Sequence, residues 1–255
     1  MDVPGLMSCG CSSGSVVGIG VPEHLLVATA ARLRGLGCSV RLERFDSARE
    51  LVLALSEGRV DAAVRGTLSS TDALSQLKAT FGLEEVMRVA VLADRMRRPF
   101  LLAPVGIDEG RDPGARLRLV VSASEYFGQV GWRLSVGVLS KGRAEDAGRG
   151  EDIRISLEDG ERLASDLARS GLDARHYAIL VEQAVAERDL VVAPDGVSGN
   201  LMFRALHLVG GCEAYGAPVV NLARVFVDTT RAKADFSDAV MLAAGLAQSV
   251  GRRRP

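Results

Sequence analysis

Two hydrophobic rhythms take turns along this chain, one that alternates residue by residue and one that recurs every three to four residues. Val16–Gly20 is a short apolar run that reads as a strand, and Pro22 and Glu23 open a helix that lasts to about Gly35. Ser39–Phe45 alternates with strand period, Ser47 caps a helix to about Glu57, and Val60–Val64 is a third strand before a helix from about Ser70 to Phe81. Arg88–Ala93 and Pro99–Val105 are further strands.

A Gly, Asp, Pro and Arg-rich patch at Gly106–Gly114 interrupts the pattern, and a second series follows. Leu117–Ser122 reads as a strand, Glu125–Val130 as a short helix and Leu134–Ser140 as a strand. Ser156–Ser170 is an amphipathic helix with Leu157, Leu163 and Leu167 on one face and Ser156 with Asp159 at its start. Tyr177–Ala186 is apolar with either period, Leu190–Ala193 is a buried strand, and Pro218–Asp228 is strand-rich. Asp235–Val250 closes the chain as an apolar helix. Short apolar strands alternating with helices indicate an α/β fold with mainly parallel sheets covered on both faces. The patch at Gly106–Gly114 divides the chain into two expected lobes: residues 1–104 with the closing segment 225–255, and residues 105–224.

Bulk numbers narrow the function classes. At 255 residues the chain can bury a large core, and a net charge of −1 leaves no electrostatic footprint for nucleic acid or an anionic membrane. The basic tail Arg252–Arg254 is too short to change that and is expected to be a solvated end. Four cysteines (Cys9, Cys11, Cys38, Cys212) argue against a disulfide framework and for a reducing cytoplasm. No apolar run reaches a bilayer span and no secretory signal is visible, so a cytoplasmic protein is expected.

Several signatures are absent. There is no phosphate-binding G-x-x-x-x-G-K-[ST], and Gly18-Ile19-Gly20 lacks the third glycine of the dinucleotide fingerprint because position 23 is Glu. Gly10–Gly14 matches G-x-S-x-G but precedes the first strand, where no nucleophile elbow can form. His24, His176 and His207 have no metal-ligand spacing, and Cys9-x-Cys11 lies in what reads as a flexible Ser/Gly-rich arm; no metal and no cofactor are expected.

Two segments place small and hydroxyl residues where a strand turns into a helix. The first runs from Asp189 to Gly211: the strand Leu190–Ala193 enters Pro194-Asp195-Gly196, and Ser198, Gly199 and Asn200 open a helix that stops at Gly210-Gly211. The second is the strand Val60–Val64, then Arg65, Gly66, and the cluster Ser69, Ser70 and Thr71. Free N–H groups at a helix start suit an anion, phosphate above all, and Arg65 can add a bidentate contact. From the residues alone, each turn is either such a cradle or an ordinary capped turn. After Ser140, Lys141, Gly142, Arg143 and Arg149 make a basic loop. It either closes over an anionic ligand or is neutralised by Glu145, Asp146, Glu151 and Asp152.

The wording of these segments adds to the reading. Pro194-Asp195-Gly196-Val197-Ser198-Gly199-Asn200, then Arg204 and Gly210-Gly211-Cys212-Glu213-Ala214, resembles the PDL-x-AGN…GG-x-EA segment of phosphate acetyl/butyryltransferases and the TDG-x-x-GN turn of the acyl-phosphate synthase PlsX. Asp61–Ala73 is similar to ADGLV-x-GA-x-x-ST-x-D of the same transferases, and Phe127-Gly128 with Leu134–Ser140 to FG…PRVAMLS. With its VLSKGR-x-ED-x-GR block from Val138 to Arg149, the whole chain most resembles the methanogenesis marker protein 4 (MtxX) family, described as a phosphotransacetylase-like "putative methyltransferase subunit" of methanogens. The resemblance implies a two-lobed isocitrate/isopropylmalate dehydrogenase-like fold with an interlobe cleft, a homodimer and methyltransferase subunits as partners. It further implies a small phosphorylated, acyl-phosphate or coenzyme A-type ligand held by Arg65, Gly66, Ser69, Ser70, Thr71, Asp195, Gly196, Ser198, Gly199 and Asn200. The function expected is that of a transferase; the alternative is a non-catalytic ligand-binding or regulatory subunit, and no acid–base residue is identified. Helix 201–209, apolar nearly all round, is the expected dimer surface.

Overall fold

Strands and helices alternate in a computed structural model that describes residues 1–250. The chain begins α1 (Val3–Cys11), β1 (Val16–Ile19), α2 (Glu23–Gly35), β2 (Arg41–Arg44), α3 (Ala48–Glu57), β3 (Ala62–Val64) and α4 (Ser70–Phe81). It continues β4 (Ala90–Ala93), β5 (Pro99–Ala103), α5 (Pro113–Gly128), β6 (Ser135–Val138), a 3₁₀ turn (Ala144–Arg149), α6 (Glu151–Arg169) and β7 (Asp173–His176). The last part is α7 (Val181–Glu187), β8 (Leu190–Val192), α8 (Gly196–Arg204), a π-helical turn (Ala205–Val209), β9 (Glu213–Pro218), β10 (Val225–Asp228) and α9 (Ser237–Val250). The basic tail Arg252–Arg254 lies outside the described residues.

These elements form two compact units, Met87–Ala214 and Asp2–Val86 with Tyr215 onward. In the discontinuous unit the strands are ordered β2-β1-β3-β10-β9; the first four are parallel and β9 runs antiparallel to β10. In the contiguous unit the order is β4-β5-β8-β6-β7, parallel except for the β4–β5 hairpin. Both are mainly parallel α/β sheets, as the alternating pattern requires. β1, β3 and β8 are almost wholly buried, which is why they read as unbroken apolar runs. Leu51, Leu55, Leu77 and Phe226 lie in one core cluster of the discontinuous unit, each contributing about 1.5–3 kcal/mol through burial. In the contiguous unit Phe127 stacks on Trp132, with ring centroids 5.3 Å apart.

Three expectations are corrected. Leu117–Ser122 is no strand: with the start of the expected helix Glu125–Val130 it belongs to the single helix α5, which ends at Gly128. Asp112 caps that helix by accepting from the Ala115 N–H at 2.8 Å, with Pro113 at the first helical position, a start signal hidden in the loop-like patch. The N-terminal arm is the helix α1, capped by Asp2 through the Gly5 N–H at 2.8 Å, with Pro4 in its first turn. It packs so closely on α9 that a Cβ on Gly10 would lie 2.4 Å from the Met241 carbonyl oxygen. Finally, where the cysteine count argued against a disulfide framework, Cys11 and Cys38 form one disulfide with Cα atoms 4.6 Å apart; Cys9 and Cys212 are free thiols. No helix among the described residues is long and apolar enough to cross a membrane.

Candidate functional site

The two turns singled out by the sequence belong to different units. In the discontinuous unit β3 delivers Arg65 to the end of the sheet, where Gly66 takes φ +63°. A Cβ on Gly66 would stand 2.3 Å from the Gly20 carbonyl oxygen, so both conformation and space require glycine. Arg65, expected to meet an anion, turns inward instead. Its side chain is 6% exposed and pairs through Nε with the Asp228 carboxylate, while its Nη atoms donate to the Leu68 and Thr229 carbonyls. Thr229 completes the knot, donating its N–H to Asp228 at 2.8 Å and its hydroxyl to the Gly66 carbonyl at 3.0 Å. The guanidinium thereby fastens the β3–α4 turn to the end of β10.

Ser69 is the N-cap of α4 and accepts from the Asp72 N–H at 3.3 Å; Ser70 and Thr71 are the first two residues of the helix. Ser69 and Asp72 also line a polar cavity of about 480 Å³ with Ser47, Arg49, Ser75 and Gln76. Ser47 caps α3 through the Glu50 N–H at 3.2 Å, so the N-termini of α3 and α4 open on the same space. Two helix starts and the exposed Arg49 guanidinium face this space together with the carboxylates of Asp72 and of Asp46, the latter paired with Arg44. Arg49 makes no ion pair among the described residues, and sequence reasoning missed it because it lies on a different segment from the hydroxyl cluster it faces.

In the contiguous unit β8 ends at Val192, Ala193 and Pro194 lead out of it, and the cap of α8 is Asp195 rather than Ser198 or Asn200. Its Oδ1 accepts from the Ser198 N–H at 2.7 Å, and its Oδ2 lies 3.2 Å from Lys141 Nζ. Partial burial pushes the Asp195 carboxyl up, but the Ser198 bonds and Lys141 together hold it below the usual carboxylate range. A folded-state value below the unfolded one supplies stability above about pH 4 that is lost as pH falls. Asp195→Ala is therefore expected to lower the urea stability at pH 7 by about 1 kcal/mol, with the gap to the parent closing below about pH 4. A constant gap across that range would show that the ionised carboxylate is not what matters.

Glycines 196 and 199 serve chain contacts here. A Cβ at Gly196 would lie 1.9 Å from the Gly106 carbonyl oxygen, and one at Gly199 would lie 1.9 Å from that of Pro104. Asn200 donates its side-chain amide to the Val105 carbonyl at 2.8 Å. The first turn of α8 is thus laid on the loop after β5. That loop is held by the buried Arg88–Glu109 pair at 2.6 Å, with the Gly106 N–H donating to Glu109 at 3.1 Å. Burial raises the Glu109 carboxyl, and Arg88 counters it only in part. Arg116, 3% exposed, donates to the Pro194 carbonyl, and burial lowers its pKa against the pull of Asp159, Asp195 and Asp112. The basic loop after β6 is largely neutralised: Lys141 goes to Asp195 and Arg149 to Asp146 at 3.0 Å. The described residues hold no cluster of ligands for a metal ion.

No protein-family model matches the chain. A protein of Methanosarcina acetivorans described as "Putative methyltransferase mtx subunit X" is 40% identical over 229 residues, 89% of this chain and 82% of that protein. This chain belongs to the mtx subunit X family. A further relative of the mtx subunit X type in Methanosarcina mazei is 38% identical over the same length, and an uncharacterised methyltransferase of Methanopyrus kandleri is 44% identical over 208 residues, 79% of this chain and 81% of that one. Among solved structures, a branched-chain phosphotransacylase from Enterococcus faecalis superposes with TM-score 0.66 at 15% identity, covering 93% of this chain and all of that one. A phosphotransacetylase from Streptococcus pyogenes gives 0.63 at 16%, covering 98% of each. A 4-hydroxythreonine-4-phosphate dehydrogenase from Klebsiella pneumoniae gives 0.60 at 11%, covering 93% and 99%. The mtx subunit X chain therefore has the phosphotransacetylase-like fold that the segments at Asp61–Ala73 and Pro194–Ala214 resemble.

Proposed function

We propose that this chain is a phosphotransacetylase-like transferase that binds a phosphorylated, acyl-phosphate or coenzyme A-type ligand and works with methyltransferase subunits in a methanogen. The polar cavity at the N-termini of α3 and α4 is the observation that carries the proposal. Its two capped helix starts, Ser69 and the unpaired Arg49 are the groups a phosphoryl oxygen needs, and coordination by backbone N–H groups requires no metal. In this reading Arg49 supplies the charge that the sequence assigned to Arg65. Titration calorimetry with inorganic phosphate, acetyl phosphate and coenzyme A tests it. At least one is expected to bind, and Arg49→Ala to weaken that binding roughly tenfold, the size of one charge-assisted contact. Equal binding by parent and variant would remove the cavity from the site.

The alternative is a ligand-binding or regulatory subunit without chemistry of its own. It is favoured by the way Arg65, Asp195 and Asn200 spend their polar groups within the chain. Turnover of acetyl phosphate and coenzyme A by the purified protein separates the two readings.

A homodimer formed on α8 and the π-helical turn is part of the same proposal. Val197, Leu201, Leu208 and Val209 are between 44% and 84% exposed; Val197 and Leu201 lie one turn apart, Leu208 follows seven residues on and Val209 sits next to it, an apolar patch that a monomer leaves in water. Light scattering is expected to find a dimer at micromolar concentration, and Leu201→Glu a monomer. A monomeric parent would refute the dimer.

A further inference from the structure

The contiguous unit holds a larger cavity, of about 670 Å³, that the transferase reading does not use. It lies beside the edge strand β7, bounded by the 3₁₀ turn, α6 and α7. Ala144, Ala147, Leu157, Leu180 and the Tyr177 ring make most of its wall carbon. Such a volume, lined mainly by apolar groups with a few fixed polar ones, is that of a small-molecule site.

The polar part of the wall is held in place. His176 is clamped on both sides: Nδ1 lies 2.8 Å from a Glu161 oxygen and Nε2 3.0 Å from the hydroxyl of buried Ser140. Gly160 leaves room for the ring, since a Cβ there would lie 2.6 Å from Nε2. Directly after β7, Ala178 takes φ +54°, a left-handed conformation unusual for a residue with a side chain, and it lines the cavity. Backbone strain of that kind gathers where a surface is shaped for a ligand.

Charge decides the ligand class. Glu158 is paired with Arg154, and Glu161 is bonded to His176. Arg175, with its guanidinium 5.3 Å from the centre of the Tyr177 ring, has among the described residues only a distant carboxylate, Glu187 at 3.8 Å, and is 65% exposed. Most of its donors are therefore open to a ligand at the rim of an apolar hollow. We propose that this cavity binds a small amphipathic anion, its apolar body against Leu157, Leu180 and Tyr177 and its carboxylate, sulfonate or phosphate on Arg175. The site is independent of the α3–α4 cavity and stands or falls separately from it.

Fluorescence titration of the full chain with anilinonaphthalene sulfonate, followed by competition with octanoate and with octanol, tests the proposal. The dye is expected to bind one to one, and octanoate to displace it roughly tenfold better than octanol, because only the carboxylate can use the guanidinium. Ala147→Trp, which fills the hollow, is expected to abolish binding. Arg175→Glu, a surface change, is expected to weaken octanoate by tenfold or more while leaving octanol unchanged. Dye binding that survives both variants and is lost in Leu201→Glu would place the dye on the α8 patch and overturn the site. Equal competition by octanoate and octanol would overturn the anion. Phosphate binding unchanged in Ala147→Trp is the control that separates this cavity from the other.

Discussion

Replacing Arg65 with alanine is expected to cost about 3–5 kcal/mol of stability, the usual penalty for stripping one partner from a buried ion pair. Asp228 would keep its charge in a site where its side chain is 10% exposed, and the Leu68 and Thr229 carbonyls would each lose a donor. For a chain of this size the loss corresponds to a fall in melting temperature on the order of 10 °C. A ligand-facing Arg65 would give the reverse, weaker binding with folding intact. Thermal unfolding of Arg65→Ala beside Arg65→Met with Asp228→Leu distinguishes them. The double variant removes both charges, so it is expected to recover much of the loss. A single variant that melts with the parent would mean that the Asp228 pair contributes little.

The second large effect is expected from Gly199→Ala. A methyl group there would lie 1.9 Å from the Pro104 carbonyl oxygen, with Ala193 Cβ at 3.2 Å behind it, so neither neighbour is a flexible side-chain tip that can move aside. The first turn of α8 would have to lift from the β5 loop, breaking the Asn200 bond to Val105. Overpacking of this kind costs about 1–3 kcal/mol, and the backbone partners here put the expectation at the upper end or beyond. Urea unfolding measures it, with Ser198→Ala as comparison. The Ser198 hydroxyl is not the cap and only adds a second bond to Asp195, so that variant should lose much less than Gly199→Ala.

Much of the architecture was legible because burial on both faces makes parallel strands continuous apolar runs. β1, β3, β6 and β8 fall within the runs at Val16–Gly20, Val60–Val64, Leu134–Ser140 and Leu190–Ala193. Where polar patterning competes with local capping, the sequence misled. The β-branched run inside Leu117–Ser122 looked like a strand, yet Asp112 and Pro113 start a helix five residues earlier, and burial of Leu119, Val120 and Ala123 along one face sustains it. β7 was missed because Asp173–His176 is an edge strand with charged residues on its exposed positions. The glycine-bearing turns were recognised as turns, but no local rule tells whether a glycine makes room for a ligand or for another part of the chain. Gly196 and Gly199 serve contacts with residues some ninety positions away in sequence. The cavity around Arg49 was invisible for the same reason, since it joins two helix starts that only the folded sheet aligns.

The discontinuous unit also fixes an order of events during synthesis. Ala62 pairs with Val225, so the inner edge of β3 stays open on the ribosome until nearly the whole chain has emerged. Met87–Ala214, in contrast, is contiguous and can close first. Until then the nascent amino-terminal segment presents an unpaired, wholly apolar strand edge, a template for wrong pairing with a neighbouring chain. Premature termination after residue 214 should therefore yield aggregates rather than a folded fragment of this unit.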